Sequence, residues 1–313
     1  MERRELLMVG PLAAAATVEI EKDVIVHRYW EAADKPAFLK SLADRVTLVA
    51  TSGHHGCSAE IMQALPKLEL IASFGVGYDA VDIAAAKRHG IRVTNTPDVL
   101  NDCVAEMTLA LMLAACHRIP QADRYVRDGL WPSANFPLTP ELTGRTVGIL
   151  GLGRIGKEIA RRLQVFKMHV VYHGRQRQEH EPFPYYADLE AMARDVDWLV
   201  VIAPGSASTN GIVSRAVMTA LGPDGTLVNM ARGSLVDEPA MIELLSSGAL
   251  GGAALDVFAN EPEIPAELLA LQNVVLSPHQ GSATHKTRAA MGAVVVGNLR
   301  AHLRGDPLIS PVA

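Results

Sequence analysis

Short apolar runs alternate with segments of helical periodicity along most of the chain. Such runs, bounded by turn-forming residues, are typical of buried strands. In one intervening segment, Ile155, Ile159 and Leu163 recur at helical spacing. Alternation of this kind predicts parallel α/β sheets. The predicted strands are residues 6–9, 46–50, 70–73, 147–150, 170–172, 198–202, 227–229, 253–257 and 274–276.

Helical and proline-rich segments divide the chain further. The predicted helices are residues 101–118, 154–166 and 284–303. The last of them is followed by Gly305 and Pro307, which are helix-stop signals. Residues 131–140 contain several prolines and predict a connecting loop. We expect domain boundaries near residues 96–97 and 139–141.

Length and charge exclude some classes of protein. A chain of 313 residues is long enough for about two domains. Its net charge of -5 argues against a nucleic-acid-binding protein, because such proteins usually carry a basic face. Cys57, Cys103 and Cys116 form no CxxC pair. Sparse cysteines are typical of a reducing compartment, so we expect a cytoplasmic location.

The N-terminal segment has a superficial likeness to a signal peptide. However, Glu2 and Glu5 lie where a signal peptide is basic, and Gly10-Pro11 interrupts the apolar stretch. We therefore interpret residues 6–9 as a first buried strand. No apolar run approaches the roughly 20 residues that span a bilayer, so no association with a membrane is predicted.

The most informative motif is the segment GLGRIG, which follows the predicted strand 147–150 and opens the predicted helix 154–166. Glycines at these spacings permit a tight turn, a close approach to a pyrophosphate and close packing of helix on strand. The phosphates would lie at a helix N-terminus, where N–H groups favour anions. We therefore predict a dinucleotide site. Its residues are Gly151, Leu152, Gly153, Arg154, Ile155 and Gly156.

The segment after the next strand predicts which dinucleotide is bound. NAD sites usually place an acidic residue there for the ribose 2′-hydroxyl. This chain has Gly174, Arg175, Gln176 and Arg177 instead. Arginine suits a 2′-phosphate through charge-assisted hydrogen bonds, so we predict NADPH over NADH. The plain alternative is a solvated basic turn.

Three polar residues follow apolar strands in the second half of the chain. Arg232, Glu261 and His279 come after the strands at 227–229, 253–257 and 274–276. Ligands bind at the carboxyl ends of strands in parallel sheets. Taken singly, each residue has a plainer reading as a surface cation, a loop charge or a turn residue.

Together, these motifs resemble those of the D-isomer-specific 2-hydroxyacid dehydrogenase family. The motifs that carry the resemblance are FGVGYD at 74–79, GLGRIG at 151–156, MARG at 230–233, ALDVF at 254–258 with Glu261-Pro262, and SPH at 277–279. Within the family, the chain looks most like the glyoxylate/hydroxypyruvate reductase branch. The segments that point there are residues 131–132, 136–139 and 173–177.

The resemblance implies a role for each matching residue. Arg232 would hold the substrate carboxylate and polarise the 2-keto oxygen. His279 would be the general acid, and Glu261 would pair with it, favouring the imidazolium form. Backbone N–H groups of Val76 and Gly77 would bind the carboxylate. Residues expected to contact the cofactor are Pro204, Met230, Asp256 and Gly281.

The resemblance also implies two Rossmann-like α/β domains with parallel sheets and an interdomain cleft. A flavodoxin-like substrate domain would comprise residues 1–97 plus 286–313, and a dinucleotide-binding domain residues 98–285. Helix 101–118 and the following loop would form a homodimer interface, although an intrachain core helix fits the sequence equally well. Trp131 would either reach the partner's active site or be an ordinary interface or surface tryptophan.

The implied activity is NADPH-dependent reduction of a small 2-keto acid, glyoxylate or hydroxypyruvate, to the D-2-hydroxy acid. Larger 2-keto acids such as an arylpyruvate or 2-ketogluconate remain open, as does a non-catalytic nucleotide-sensing regulator of the same fold. A formate dehydrogenase-like role fits less well, because Glu261 is present where those relatives have glutamine. A phosphoglycerate dehydrogenase-like role lacks its acidic ribose residue here.

Two further groups of polar residues receive no chemical role. His54 and His55 are flanked by glycines, without an HExxH motif or a cysteine cluster, so no metal site is predicted. Asp79 and Asp82 are expected at the start of a helix, with Asp79 near its N-cap.

Overall fold

The computed structural model describes residues 3–312. The strands are β1 (Glu5–Met8), β2 (Ile25–Arg28), β3 (Val46–Ser52), β4 (Leu70–Phe74), β5 (Arg92–Thr94), β6 (Thr146–Leu150), β7 (His169–His173), β8 (Tyr185–Tyr186), β9 (Trp198–Val201), β10 (Thr226–Asn229), β11 (Gly252–Leu255) and β12 (Val274–Leu276). The helices are α1 (Ala14–Asp23), α2 (Lys35–Leu42), α3 (Ala59–Ala64), α4 (Ile83–Arg88), α5 (Asn101–Cys116), α6 (Ile119–Arg127), α7 (Arg154–Val165), α8 (Leu189–Arg194), α9 (Arg215–Leu221), α10 (Glu238–Ser247), α11 (Ala266–Ala270) and α12 (His285–Arg304). Short 3-10 helices cover Tyr29–Glu31 and Gly233–Leu235.

The chain forms two parallel sheets, as the sequence predicts. The first has five strands in the order β2-β1-β3-β4-β5, and the second has seven in the order β12-β11-β10-β9-β6-β7-β8. The first order is that of flavodoxin-like folds, and the second is a Rossmann order with one added strand. In a parallel sheet, all strands end on the same side. Most of the candidate functional residues lie in the loops that follow the carboxyl ends of the strands of the second sheet.

Contacts between Cα atoms divide the chain into two compact units, Met1–Leu100 with Thr284–Ala313, and Asn101–Ala283. Each unit has its own sheet and its own apolar core. Leu7, Val49 and Ile71 are fully buried in the first, and Leu199 and Leu227 in the second. The domain boundaries predicted at 97/98 and 285/286 lie a few residues from these divisions and stay a prediction.

Every predicted strand is present, but the sequence did not predict β2, β5 and β8. All three are edge strands of their sheets or pair with only one neighbour. β2 is exposed or half-buried throughout, β5 has Val93 as its only apolar residue, and β8 has only two residues. Edge strands are commonly short and polar, so they lack the apolar pattern that marks central strands.

The predicted helices are confirmed, with one change near residue 118. The helix expected over 101–118 ends at Cys116, and a second helix begins at Ile119. Arg118 adopts a left-handed conformation with φ of 51°, which ends regular helix geometry between the two. At α4, the N-cap is Asp82, whose carboxylate accepts the Ala85 N–H at 2.7 Å, rather than Asp79.

The C-terminal helix α12 has defined signals at both ends. Thr284 caps its N-terminus by accepting the Thr287 N–H at 3.1 Å. Gly305 ends it with φ of 75°, a conformation that glycine adopts without steric cost.

Within residues 3–312, no single helix is long and apolar enough to cross a membrane. Only α5 and α6 taken together are long and apolar enough, and the two helices are bent by 58° relative to each other.

Candidate active site

The glycine loop between β6 and α7 has the backbone geometry that the motif predicts. Gly151 has φ of 103°, and a Cβ there would lie 2.7 Å from the backbone of Ala203. A Cβ on Gly156 would lie 2.3 Å from the Gly151 carbonyl oxygen. Both positions therefore require glycine. A Cβ on Gly153, by contrast, would meet no atom within 4 Å, so this part of the loop faces open space.

Helix α7 begins directly after this loop. Ile159 and Leu163 are fully buried on its inner face, which fixes the helix against the sheet. Arg154 and Ile155 occupy its first turn, where the free N–H groups and the helix dipole favour a negative charge. An open glycine loop at a helix N-terminus fits the pyrophosphate of a dinucleotide.

A basic loop, residues 174–178, follows β7 at the same edge of the sheet. Arg175, Gln176 and Arg177 are all exposed, and no carboxylate is present in this segment. The loop therefore offers two solvent-facing guanidinium groups where an NAD site usually has an acidic side chain. The residues present fit a ribose 2′-phosphate.

His279 and Glu261, which follow β12 and β11, are joined by a hydrogen bond. The distance from His279 Nδ1 to Glu261 Oε2 is 2.7 Å, and Glu261 Oε1 accepts the Phe258 N–H at 3.0 Å. One carboxylate oxygen thus anchors Glu261 to the backbone while the other holds the imidazole. Since Nδ1 faces the carboxylate, Nε2 is the ring nitrogen available for proton exchange with a ligand.

The environment of Glu261 favours its charged form. Burial alone would raise the pKa of this carboxyl group. The hydrogen bonds from His279 and Phe258, together with the positive charges of His279 and Arg232, outweigh burial and hold the pKa below its usual value. Glu261 is therefore a stable anionic partner for the imidazole.

Asp256 organises the turn that carries His279. Its side chain is buried, and Oδ1 accepts from Ser277 Oγ at 2.6 Å and from the Gln280 N–H at 2.7 Å. Oδ2 accepts the Gly281 N–H at 2.7 Å. These bonds hold a turn in which His279 has φ of 54°, a conformation that is uncommon outside glycine. Asp256 thus fixes the direction from which the imidazole leaves the backbone.

Arg232 lies after β10, half-buried at the start of a 3-10 helix. Its Nη1 donates to the Ala231 carbonyl at 2.7 Å, and its own carbonyl accepts from Asn229 Nδ2 at 2.9 Å. The next residue, Gly233, packs against the backbone of Phe258, where a Cβ would lie 2.0 Å away. Close packing of these loops therefore brings Arg232 close enough to Glu261 for its positive charge to lower the pKa of that carboxyl group.

The other predicted residues take the following places. Met230 and Gly281 are neighbours, since a Cβ on Gly281 would lie 3.3 Å from Met230 Cε. Pro204 is exposed after β9, and its carbonyl accepts from Thr209 Oγ1 at 2.9 Å. Val76 and Gly77 belong to the first unit, in the loop that follows β4. Their predicted contacts with ligands stay predictions.

Sequence reasoning missed Ser277 and Phe258 as supports of the site. Ser277 is named in the SPH motif, but only the fold shows its hydroxyl on Asp256. The Phe258 N–H that anchors Glu261 has no sequence signal at all, because nearly every residue supplies a backbone N–H.

Among the described residues, no group of three His, Cys, Asp or Glu side chains is placed to hold a metal ion.

The chain is similar to known proteins over its whole length. A model of the NAD-binding domain of D-isomer specific 2-hydroxyacid dehydrogenases matches residues 109–281. Over 312 residues, covering 100% of both chains, the chain is 44% identical to a hydroxyphenylpyruvate reductase of Plectranthus scutellarioides. It is also 44% identical over 312 residues, again 100% of both chains, to glyoxylate/hydroxypyruvate reductase A HPR2 of Arabidopsis thaliana.

A solved structure supports the same assignment. The NADPH-dependent glyoxylate/hydroxypyruvate reductase of Sinorhizobium meliloti, in complex with NADP and malonate, superposes with a TM-score of 0.94 at 43% identity. The match covers 100% of this chain and 97% of that one. The chain therefore belongs to the D-isomer-specific 2-hydroxyacid dehydrogenase family, as an NAD(P)-dependent 2-keto acid reductase of the glyoxylate/hydroxypyruvate reductase type.

Proposed function

We propose that the protein reduces glyoxylate, hydroxypyruvate or both to glycolate or D-glycerate with NADPH. The observation that carries the proposal is the 2.7 Å pair between His279 Nδ1 and Glu261 Oε2, in the same constellation as Arg232. A paired imidazole and a guanidinium are the groups that carbonyl reduction needs, because the oxygen of the carbonyl gains negative charge and then a proton.

The cofactor is assigned from the chain's own residues. The glycine loop and the first turn of α7 would hold the pyrophosphate, and Arg175 and Arg177 would hold the 2′-phosphate. When bound, NADPH supplies the hydride that C2 of the 2-keto acid accepts. The choice of NADPH over NADH rests on the exposed basic loop, and a solvated turn without a ligand contact is its competing explanation.

His279 is the proton donor of the proposed reaction. Glu261 holds Nδ1, so a proton on Nε2 can pass to the carbonyl oxygen as negative charge develops there. Asp256 positions the turn that carries the imidazole. In the oxidative direction, the same Nε2 takes the proton back from the hydroxyl group.

Arg232 binds the substrate carboxylate and polarises the 2-keto oxygen. A guanidinium group can form two parallel hydrogen bonds with a carboxylate, which fixes the orientation of the substrate. The resemblance to the family adds the backbone N–H groups of Val76 and Gly77 as further carboxylate ligands. The D-configuration of the product is likewise inferred from the family.

A larger 2-keto acid is the second candidate substrate. The relative from Plectranthus scutellarioides, named for hydroxyphenylpyruvate, is as similar to this chain as the Arabidopsis glyoxylate/hydroxypyruvate reductase. Glyoxylate and hydroxypyruvate differ from each other only by a small group, which contributes about 1–3 kcal/mol to discrimination in a pocket, so the two small acids are proposed together. We favour the small substrates because of the segments at residues 131–132 and 136–139 that resemble this branch.

A homodimer is part of the proposal. Leu130, Trp131 and Leu138 are exposed, with Trp131 63% and Leu138 101% accessible. The resemblance to the family implies a dimer interface in this region, and such an interface would cover these exposed apolar side chains. Sedimentation equilibrium should give twice the mass of the chain, whereas a monomer at micromolar concentration would contradict the proposed assembly.

The activity is tested by following the loss of NADPH absorbance with glyoxylate, hydroxypyruvate and hydroxyphenylpyruvate as separate substrates. We expect the highest kcat/KM with one of the two small acids. A higher kcat/KM with hydroxyphenylpyruvate would select the second candidate. Tight NADPH binding without turnover of any 2-keto acid would instead favour a nucleotide-sensing regulator.

A further inference from the structure

Gln178 joins the basic loop to the glycine loop. Its side-chain Nε2 donates to the Leu152 carbonyl at 2.7 Å, and its backbone N–H donates to Tyr172 Oη, also at 2.7 Å. Leu152 is the second residue of the GLGRIG motif, and Tyr172 is a buried residue of β7. One residue therefore ties together the glycine loop, which would bind the pyrophosphate of the cofactor, and the basic loop, which would bind its 2′-phosphate.

Two further contacts fasten the same loop. Tyr185 Oη donates to the Gly174 carbonyl at 3.2 Å, where the loop leaves β7. Lys157 Nζ of α7 lies 2.8 Å from Glu181 Oε1, beyond the other end of the loop. Arg175 and Arg177 thus lie on a short backbone segment that is held on both sides.

The bond from Gln178 to Leu152 also orients the glycine loop. In a trans peptide, the C=O and the following N–H point in opposite directions within one plane. Fixing the Leu152 carbonyl therefore fixes the direction of the Gly153 N–H. That N–H belongs to the open part of the loop, where a Cβ on Gly153 would meet no atom within 4 Å. Gln178 thereby sets a donor in the segment that fits a pyrophosphate.

An anchored loop reduces the free-energy cost of binding a 2′-phosphate. Arginine side chains lose rotamer freedom when they bind, and a mobile backbone adds a further loss of entropy. With the backbone of residues 174–178 already fixed, only the side chains of Arg175 and Arg177 remain to be ordered. Gln178 itself is uncharged, so its effect on the 2′-phosphate comes through position and not through charge.

We propose that Tyr172 and Gln178 are positioning residues for recognition of the cofactor's 2′-phosphate, and that Gln178 also couples this recognition to the pyrophosphate loop. The inference rests on the proposed preference for NADPH. It assigns separable effects to the two residues. Tyr172 acts on the basic loop alone, whereas Gln178 acts on the basic loop and on the Leu152–Gly153 peptide.

A purely structural role for these residues predicts a different result. If the contacts only stabilised the domain, their loss would lower the thermal stability and weaken both dinucleotides equally. The ratio of the NADPH and NADH dissociation constants is insensitive to such a general loss. That ratio is therefore the readout that separates positioning from stability.

The test measures dissociation constants for NADPH and NADH by isothermal titration calorimetry on the full chain. The variants are Tyr172→Phe, which keeps the buried ring, and Gln178→Ala. Matched controls are Tyr186→Phe, which removes a tyrosine hydroxyl that bonds Asp195 away from the loop, and Gln164→Ala at an exposed position of α7. Thermal denaturation of each variant confirms that it is folded.

We expect Tyr172→Phe to weaken NADPH by about three- to tenfold, which is the loss of one hydrogen bond, and to leave the affinity for NADH unchanged. Gln178→Ala should weaken NADPH by a larger factor and NADH by about two- to fivefold. Both controls should bind like the wild type. A wild-type preference for NADPH with an unchanged affinity ratio in both variants would overturn this inference alone. Equal wild-type affinities for NADPH and NADH would remove the proposed cofactor preference and this inference with it.

Discussion

His279 Nδ1 lies 2.7 Å from Glu261 Oε2, and the other oxygen of Glu261 accepts the Phe258 N–H. The carboxylate of Glu261 is thus fixed to the backbone through one oxygen and holds the imidazole through the other. Such an arrangement determines both the orientation of the ring and which nitrogen faces a substrate. The chemistry that we propose depends on this relationship.

The lowered pKa of Glu261 predicts a pH-dependent contribution to stability. Because its pKa is lower in the folded chain than the usual value of 4.5, the carboxylate stabilises the fold above about pH 4.5. This contribution is lost as the pH falls through the folded-state pKa. Glu261→Gln should therefore melt at a lower temperature than the wild type at neutral pH, and the difference should shrink in acid. Glu263→Gln, at an exposed neighbouring position, is the control. A difference in melting temperature that grows in acid would contradict this prediction.

Replacing Asp256 should destabilise the turn that carries His279. Asp256→Ala leaves the N–H groups of Gln280 and Gly281 without their acceptors. We expect a loss of about 2–4 kcal/mol in the free energy of unfolding of the second unit, together with a loss of turnover. Ser277→Ala removes only the hydrogen bond from the Ser277 hydroxyl to Asp256 and should lower the free energy of unfolding by about 1 kcal/mol. Denaturant titration of the two variants measures the difference, and equal losses would show that the backbone bonds do not depend on Asp256.

The sequence predicted those parts of the fold that depend on local patterns. The strand β6, the glycine loop and α7 follow from adjacent residues, because a buried apolar run, required glycines and a helical period are all local signals. The break at Arg118 was missed because its left-handed conformation has no such signal in a non-glycine residue. The edge strands β2, β5 and β8 were missed because they are short and lack the apolar run that marks the central strands.

Long-range hydrogen bonds in the site could not be predicted from the sequence. Gln178 and Leu152 are 26 positions apart, and nothing in either segment indicates that their polar groups meet. Asp256 was expected to contact the cofactor, and the structure shows that both of its oxygens accept bonds from residues 277–281. In both cases, the donor and the acceptor meet only because the fold brings distant parts of the chain together. Several residue types could supply such groups, so the residue types alone do not identify the pairs.

The basic loop predicts a selective effect on NADPH. Replacing Arg175 and Arg177 together with alanine removes two positive charges that face solvent after β7. NADPH should bind at least about tenfold more weakly, because charge-assisted hydrogen bonds to a phosphate contribute about 1.5–3 kcal/mol each. NADH, which lacks that phosphate, should change little. Titration with both dinucleotides measures the effect, and equal losses for the two would refute the assignment of these arginines.

The role of His279 is the central claim, and the turnover of His279→Asn with NADPH and hydroxypyruvate tests it most directly. Asparagine can still bond Glu261 but cannot transfer a proton near neutral pH. We expect turnover to fall by about 10²- to 10⁴-fold while calorimetry shows an unchanged dissociation constant for NADPH. Turnover within a few fold of the wild type would contradict the account, because another group would then have to supply the proton.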